Sequence, residues 1–187
     1  MNLQVFDICR EGTYVLGPGN RYVIWTQGCL QNCKGCLTPE SKPLDSGFSL
    51  DCENLAADII LSKHIDGITI SGGEPFLQIE ALTEILSIVK KFRPELTVII
   101  YSGYTFSQIK SIPNATNLLA LTDVIIDGPY IENLNDNKGI RGSSNQKINP
   151  ITSRLNEFID TMDKGKRHQS KVMGFDSRIT KIGIPTN

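Results

Sequence analysis

The sequence has no run of 18 or more apolar residues, and no apolar stretch behind basic residues at its N-terminus. Neither a membrane span nor a secretory leader is therefore expected. Charge of one sign is missing as well: 19 basic against 20 acidic residues leave a net charge of -1. No global field then points to nucleic acid or to anionic lipid, and no contact with either is expected. Histidine is scarce, with two in the chain, and the cysteines number five. An odd count and the absence of a second C-x2-C pair exclude a regular disulfide scaffold and weaken any closed zinc site. No internal repeat or low-complexity segment is present. With 40% hydrophobic and 21% charged residues, the composition is that of an ordinary globular protein. A chain of 187 residues reads as one domain, 1–187, able to bury roughly 70% of its unfolded surface without staples. Free thiols suit a reducing compartment, so a cytoplasmic protein is expected.

Three of the cysteines are crowded into Gly28-Cys29-Leu30-Gln31-Asn32-Cys33-Lys34-Gly35-Cys36, spaced C-x3-C-x2-C, directly after the apolar run Tyr22 to Trp25. Zinc would need a fourth protein ligand for a closed structural site. Cys9, Cys52, His64 and His168 all lie outside the loop. Disulfides among three such close positions would be strained or incomplete. A short loop of this kind can instead wrap one inorganic centre. Three thiolates, one on each of three irons of a cube-shaped 4Fe-4S cluster, leave the fourth iron without a protein ligand, open for chemistry. A cluster module that carries electrons without catalysis stays open at this point.

Around that loop, strands and helices alternate. Leu3 to Ile8 reads as a strand leading to a turn at Glu11-Gly12-Thr13, and Tyr22 to Trp25 as a second strand. Leu37 to Phe48 reads as an irregular loop, and Ser49 or Asp51 can cap a helix running to about Ser62. Asp66 to Ile70 is a short buried strand. Leu82, Ile85, Leu86 and Val89 recur at helical spacing and predict a helix over 78–92, ended by Arg93-Pro94. Thr97 to Tyr101, Thr105 to Ile112 and Val124 to Ile126 continue as strand, helix, strand. Such alternation argues for parallel βαβ units. The carboxyl ends of these strands carry the cysteine loop, Ser71-Gly72-Gly73-Glu74-Pro75, Ser102-Gly103-Tyr104 and Asp127-Gly128. In a parallel sheet or barrel these ends share one face, where ligands bind. Gly72 and Gly73 offer main chain free of side chains to the charged ends of an amino acid. Glu74 reads as a brace of that loop, Ser102 as a hydroxyl donor to a ligand, and Asp127 as an acceptor for the ligand or a neighbouring loop. Residues 128–146 read as a long polar loop, Arg154 to Met162 as helical, and Val172 to Pro185 as a final strand or hairpin.

At Cys29, Cys33 and Cys36 the chain resembles the radical S-adenosylmethionine (SAM) superfamily, and Ser71-Gly72-Gly73-Glu74-Pro75 strengthens the likeness. Gly17-Pro18-Gly19-Asn20-Arg21, just before the cysteine strand, is similar to one branch, the activating enzymes of glycyl-radical enzymes, most closely those of anaerobic ribonucleotide reductase. Arg141-Gly142-Ser143-Ser144-Asn145-Gln146 points the same way. So does Gly35, where the wider superfamily usually has an aromatic residue before the third cysteine. The likeness covers residues 12 to 148 and leaves 149–187 unassigned, with the cysteine loop at 26–38.

The resemblance implies a partial parallel (βα) barrel with a 4Fe-4S cluster on Cys29, Cys33 and Cys36. It implies SAM on the free iron, with its amino group bound by Gly72, Gly73, Glu74 and Pro75. Ser102 would reach the SAM carboxylate or ribose, the main chain at Gly35 would pass the adenine, and Asp127 and Arg141 would contribute polar contacts. A glycyl-radical enzyme is the implied partner, and flavodoxin or ferredoxin the implied kind of one-electron reductant. A radical SAM enzyme acting on a peptide or small molecule is the nearest alternative.

Overall fold

A computed structural model of the chain describes residues 1–173 and 179–186. Its centre is a seven-stranded mixed sheet in the order β3-β1-β2-β4-β5-β6-β7. Four inner strands, β2 (Arg21–Thr26), β4 (Gly67–Gly72), β5 (Thr97–Tyr101) and β6 (Val124–Asp127), run parallel. Their pairing is in step: Ile24 lies beside Ile70, Ile70 beside Ile100, and Ile100 beside Ile125. Antiparallel strands flank them, β1 (Asn2–Thr13) and β3 (Phe48–Asp51) on one side and β7 (Lys147–Pro150) on the other. The parallel order expected from the alternation is present, as is the strand expected at Leu3 to Ile8; the antiparallel flanks β3 and β7 are additions to it.

Three differences from the sequence reading have physical causes. β1 runs through the expected turn at Glu11-Gly12-Thr13, with a shift of register between Cys9 and Thr13 absorbing the extra residues, as a bulge does. β3 begins inside the supposed loop, at Phe48, because pairing with Leu3 and Val5 extends it. β7 carries Asn149 and Pro150, and proline is tolerated in strands at a sheet edge, where its nitrogen owes no ladder bond.

Helices α1 (Cys52–Leu61), α2 (Ile79–Phe92), α3 (Phe106–Ser111) and α4 (Ala115–Leu119) join the parallel strands. Asp51 caps α1 by accepting from the Asn54 N–H at 3.0 Å, and Thr105 and Gln108 form a reciprocal capping box on α3. Leu82, Ile85, Leu86 and Val89 of α2 are buried on one face of the sheet with Tyr22, Ile24, Ile68, Ile70 and Ile100. The alternate residues of the same strands face the other way. Ile99, Val124 and Ile126 pack against Leu155 and Met162, the latter in α5 (Ile159–Lys164). Val23 packs with Leu16 and with Ile182 of the C-terminal hairpin, β8 (Ser170–Met173) and β9 (Ile179–Ile182). The expected helix over Arg154 to Met162 is a short 3-10 turn, Asn156–Phe158, followed by α5. Part of the 172–185 segment, 174–178, lies outside the described residues. Among those described, no helix is long and apolar enough to cross a membrane.

The second sheet face is graded from bottom to top. At the amino ends of the strands Arg21 is fully buried. It donates to the Thr69 hydroxyl at 2.6 Å, to the Thr97 hydroxyl at 2.9 Å and to the carbonyls of Pro18, Ile68 and Thr97. Burial pulls its pKa down to about 10, still far above neutrality. Above this polar plug come Val23 and Ile99, and above them Trp25, Ser71 and Tyr101 open into a cavity at the carboxyl ends.

Candidate functional site

The cysteine loop leaves β2 at Thr26 and is held by backbone before any ligand is considered. Gly28 N–H donates to the Ser41 carbonyl at 2.8 Å and Cys29 N–H to the Lys42 carbonyl at 2.9 Å. The buried Gln27 carboxamide reaches the Pro43 carbonyl at 2.6 Å. The next strand end is stitched to the same loop: Gly73 N–H donates to the Thr26 carbonyl at 2.7 Å and Glu74 N–H to the Gly28 carbonyl at 2.8 Å. Glycine is required for this approach. A Cβ on Gly73 would lie 2.2 Å from the Gly28 carbonyl oxygen, and one on Gly72 would lie 2.6 Å from the Thr26 backbone. The two glycines therefore serve the joint between loops as well as the open face, and the N–H of Gly73 is committed within the protein.

Glu74 joins this pair of loops to a third. Fully buried, its carboxylate accepts from the Phe76 N–H at 3.1 Å, the Ser102 hydroxyl at 2.8 Å and the Gly103 N–H at 2.7 Å. Desolvation pushes its pKa up and these hydrogen bonds oppose the rise. Ser102 Oγ in turn accepts from the Tyr104 N–H at 3.1 Å.

These loops surround a cavity of about 310 Å³, at the lower end of the range for small-molecule sites. Cys29, Cys33 and Cys36 line it, as do Gly72, Gly73, Glu74 and Ser102. The other four expected contacts lie off its wall. Gly35 backs onto the Glu132 carboxylate, within 3 Å of where a Cβ would stand. Pro75 is buried at the start of a 3-10 turn. Asp127 is engaged on both oxygens, by the Phe106 N–H and by the Asn149 carboxamide at 2.9 Å. Arg141 is buried and paired with Asp163 at 2.6 Å and Asp136 at 2.9 Å. Both charged residues brace loops around the site rather than facing its space.

Other residues line it without having been singled out as ligand contacts: Trp25 and Tyr101 from the sheet face, Tyr130 and, from the end of the Arg141–Gln146 motif, Gln146. Gln146 bonds Gly142 N–H at 2.7 Å and the Gly128 carbonyl at 2.8 Å. Tyr101 donates to the Ile140 carbonyl at 2.8 Å. The long loop is thus pinned over the strand ends.

The donor set fits an iron–sulfur cluster. Three thiols from one loop share one cavity, and Cys29 Sγ accepts from the Gln31 N–H at 3.4 Å, the kind of contact that stabilises a ligating thiolate. Burial pushes the free Cys29 thiol up, so a bound cation is what would hold it ionised. Among the described residues no three His, Cys, Asp or Glu side chains close on a single ion. A cluster takes each thiolate on a different iron and calls for a wider triangle.

A family model described as "4Fe-4S single cluster domain" matches residues 15–149. The chain belongs to this 4Fe-4S single-cluster family. Among its relatives, the anaerobic ribonucleoside-triphosphate reductase-activating protein of Enterobacteria phage T4 is 34% identical over 139 residues, covering 72% of this chain and 86% of the relative. The protein of the same name from Vibrio cholerae is 31% identical, over 74% of this chain and 92% of its own. A pyruvate formate-lyase-activating enzyme of Listeria monocytogenes is 29% identical, over 66% of this chain and 51% of its own. In this 4Fe-4S single-cluster protein the match spans all four parallel strands and the cysteine loop, and ends before α5 and the hairpin.

Proposed function

We propose that this protein is a radical SAM activase that installs a glycyl radical in a partner enzyme, anaerobic ribonucleotide reductase being the first candidate. The observation that carries the reading is the joint between the three-cysteine loop and the Gly72-Gly73-Glu74 segment, which line one cavity together and support reading the segment as an amino-acid pocket beside cluster ligands. An electron carrier needs no such pocket. The relatives' names, activating proteins of two different enzymes, support the same reaction class.

Cys29, Cys33 and Cys36 would hold the cluster, which when bound would supply the one-electron reduction for cleavage of SAM and so the radical chemistry at the partner's glycine. The protein's own part is binding, orientation and exclusion of water. The ammonium of SAM, with three donors and no acceptor, needs acceptors, and the carbonyl oxygens of the Gly72-Gly73 turn are the ones this segment would offer. Glu74 keeps that turn in register with Ser102 and accepts the hydrogen bond from its hydroxyl, which leaves the Ser102 oxygen at the cavity wall as an acceptor for a ribose hydroxyl rather than a donor to the carboxylate. Gly35, Pro75, Asp127 and Arg141 act by shaping the loops. The four adjacent parallel strands with a cavity at their carboxyl ends support the reading of a partial barrel. A cytoplasmic, anaerobic setting with a flavodoxin- or ferredoxin-type donor completes the reading.

Anaerobic reconstitution with iron and sulfide, then dithionite and SAM, is expected to give 5'-deoxyadenosine, and addition of the reductase a glycyl radical by electron paramagnetic resonance. Cys33→Ala is expected to lose the product while the metal-free chain stays folded by circular dichroism. A cluster whose spectrum SAM does not perturb would replace this reading with a non-catalytic module.

A further inference from the structure

The family match ends at residue 149, yet the chain beyond it completes the cavity. Lys181, Ile182, Gly183, Ile184 and Pro185 line the same space as the cluster cysteines. β9 ends at Ile182, and Gly183 leaves it with a φ of +114°. Lys181 and Ile182 are neighbours in the strand, whose side chains point to opposite sides, so their shared place on the cavity turns the edge of the strand toward it. Among the described residues β9 pairs with β8 alone, and alternate residues of such a strand aim N–H and C=O away from their one partner.

This edge is firmly placed. The buried Arg167 donates to the Pro185 carbonyl at 2.9 Å, the Arg141 carbonyl at 2.7 Å and the Asn135 side-chain oxygen at 2.7 Å. Gln169 holds the Ile184 carbonyl at 3.0 Å, and Ile182 packs against Leu16 and Val23. One side of the edge is thus anchored to the long loop and the other to the sheet face, on the cavity that the cysteines also line.

The substrate under the activase reading is a glycine residue, which offers no side chain to recognise. Main-chain pairing with an exposed strand edge is the mode of recognition left to it. We propose that Lys181–Gly183, the end of β9 and the residue after it, is a docking edge beside which the glycine-bearing segment of the partner lies extended, bringing its glycine Cα into the cavity. This inference rests on the activase reading and adds to it the element that reads the partner.

The test uses the full-length, reconstituted protein and a synthetic peptide copying the radical-bearing glycine segment of an anaerobic ribonucleotide reductase. Peptides N-methylated at single amides lose one main-chain hydrogen bond each, so KM is expected to rise about tenfold at alternate positions. Side-chain replacements flanking the glycine are expected to shift it little. A photoreactive residue placed at the exposed position 181 is expected to crosslink to the peptide. Equal KM for every N-methylated peptide, or crosslinking from the helix face at Phe92 but not from 181, overturns the docking edge. 5'-Deoxyadenosine formed without peptide reports on the activase reading alone: its absence overturns both, while its presence with a peptide indifferent to N-methylation overturns only this inference.

Discussion

Glu74 is a carboxylate with no exposure whose three hydrogen bonds come from neutral donors. Burial raises its pKa, so the folded state holds its proton to higher pH than the unfolded chain does. The stability this group contributes is therefore complete below the ordinary carboxylate range and is lost as pH rises through the folded pKa. Glu74→Gln removes the ionisation and misaligns at least one of the three bonds, at a cost of about 1–3 kcal/mol. Urea unfolding of the metal-free protein between about pH 4 and about pH 8 is expected to show the gap between wild type and variant narrowing as pH rises. A constant gap would mean that the side chain titrates alike in both states. That Glu74 braces its own loop was legible from its place between Gly-Gly and Pro. Its partners Ser102 and Gly103 were not, because a contact across 28 residues leaves no local pattern. The same holds for Asp127 and Arg141, readable as polar residues near strand ends but silent about whether a ligand or Asn149, Asp136 and Asp163 would claim them.

Among the elements, β2 shows the same separation between pattern and purpose. Its apolar run was plain, yet Arg21 at its start read only as part of a family likeness. In the fold it closes the bottom of the inner sheet face, and Gly17 makes room for it, since a Cβ there would lie 2.6 Å from Arg21 Cδ. Arg21→Ala would leave two hydroxyls and three carbonyls without their donor, for a loss of about 3 kcal/mol or more. The midpoint of denaturant unfolding is expected to fall accordingly, with no change in the three cysteines' capacity to bind iron in the fraction that is folded. An unchanged midpoint would show that water replaces the guanidinium. Long periodic elements such as α2 were legible because one buried face repeats through four turns. α4, five residues long, and β7, an edge strand of four, are too short for a period, and their formation depends on neighbours that only the fold supplies.

On the scale of the whole molecule, a parallel sheet has to be covered on both faces. The family-matched part supplies α1, α2 and α4 for one face; the other is covered by Leu155, α5 and the C-terminal hairpin. Residues after 149 thus cover the second face of the sheet, a point the thinning of family likeness concealed. Leu155→Ala is expected to cost about 2–5 kcal/mol, as for other buried leucines, and to be seen as a lowered melting temperature of the metal-free protein. A loss below about 0.5 kcal/mol, typical of surface changes, would mean that the C-terminal part docks without supporting the sheet.

The backbone ties at Gly28, Cys29, Gly73 and Glu74, with Gln27 reaching across to Pro43, draw only on the polypeptide itself. Iron contributes to none of them. A copy stripped of its metal by oxygen would then keep the shape of its own mould, and its restoration would be a matter of resupplying iron and sulfide to a finished protein rather than making the protein again.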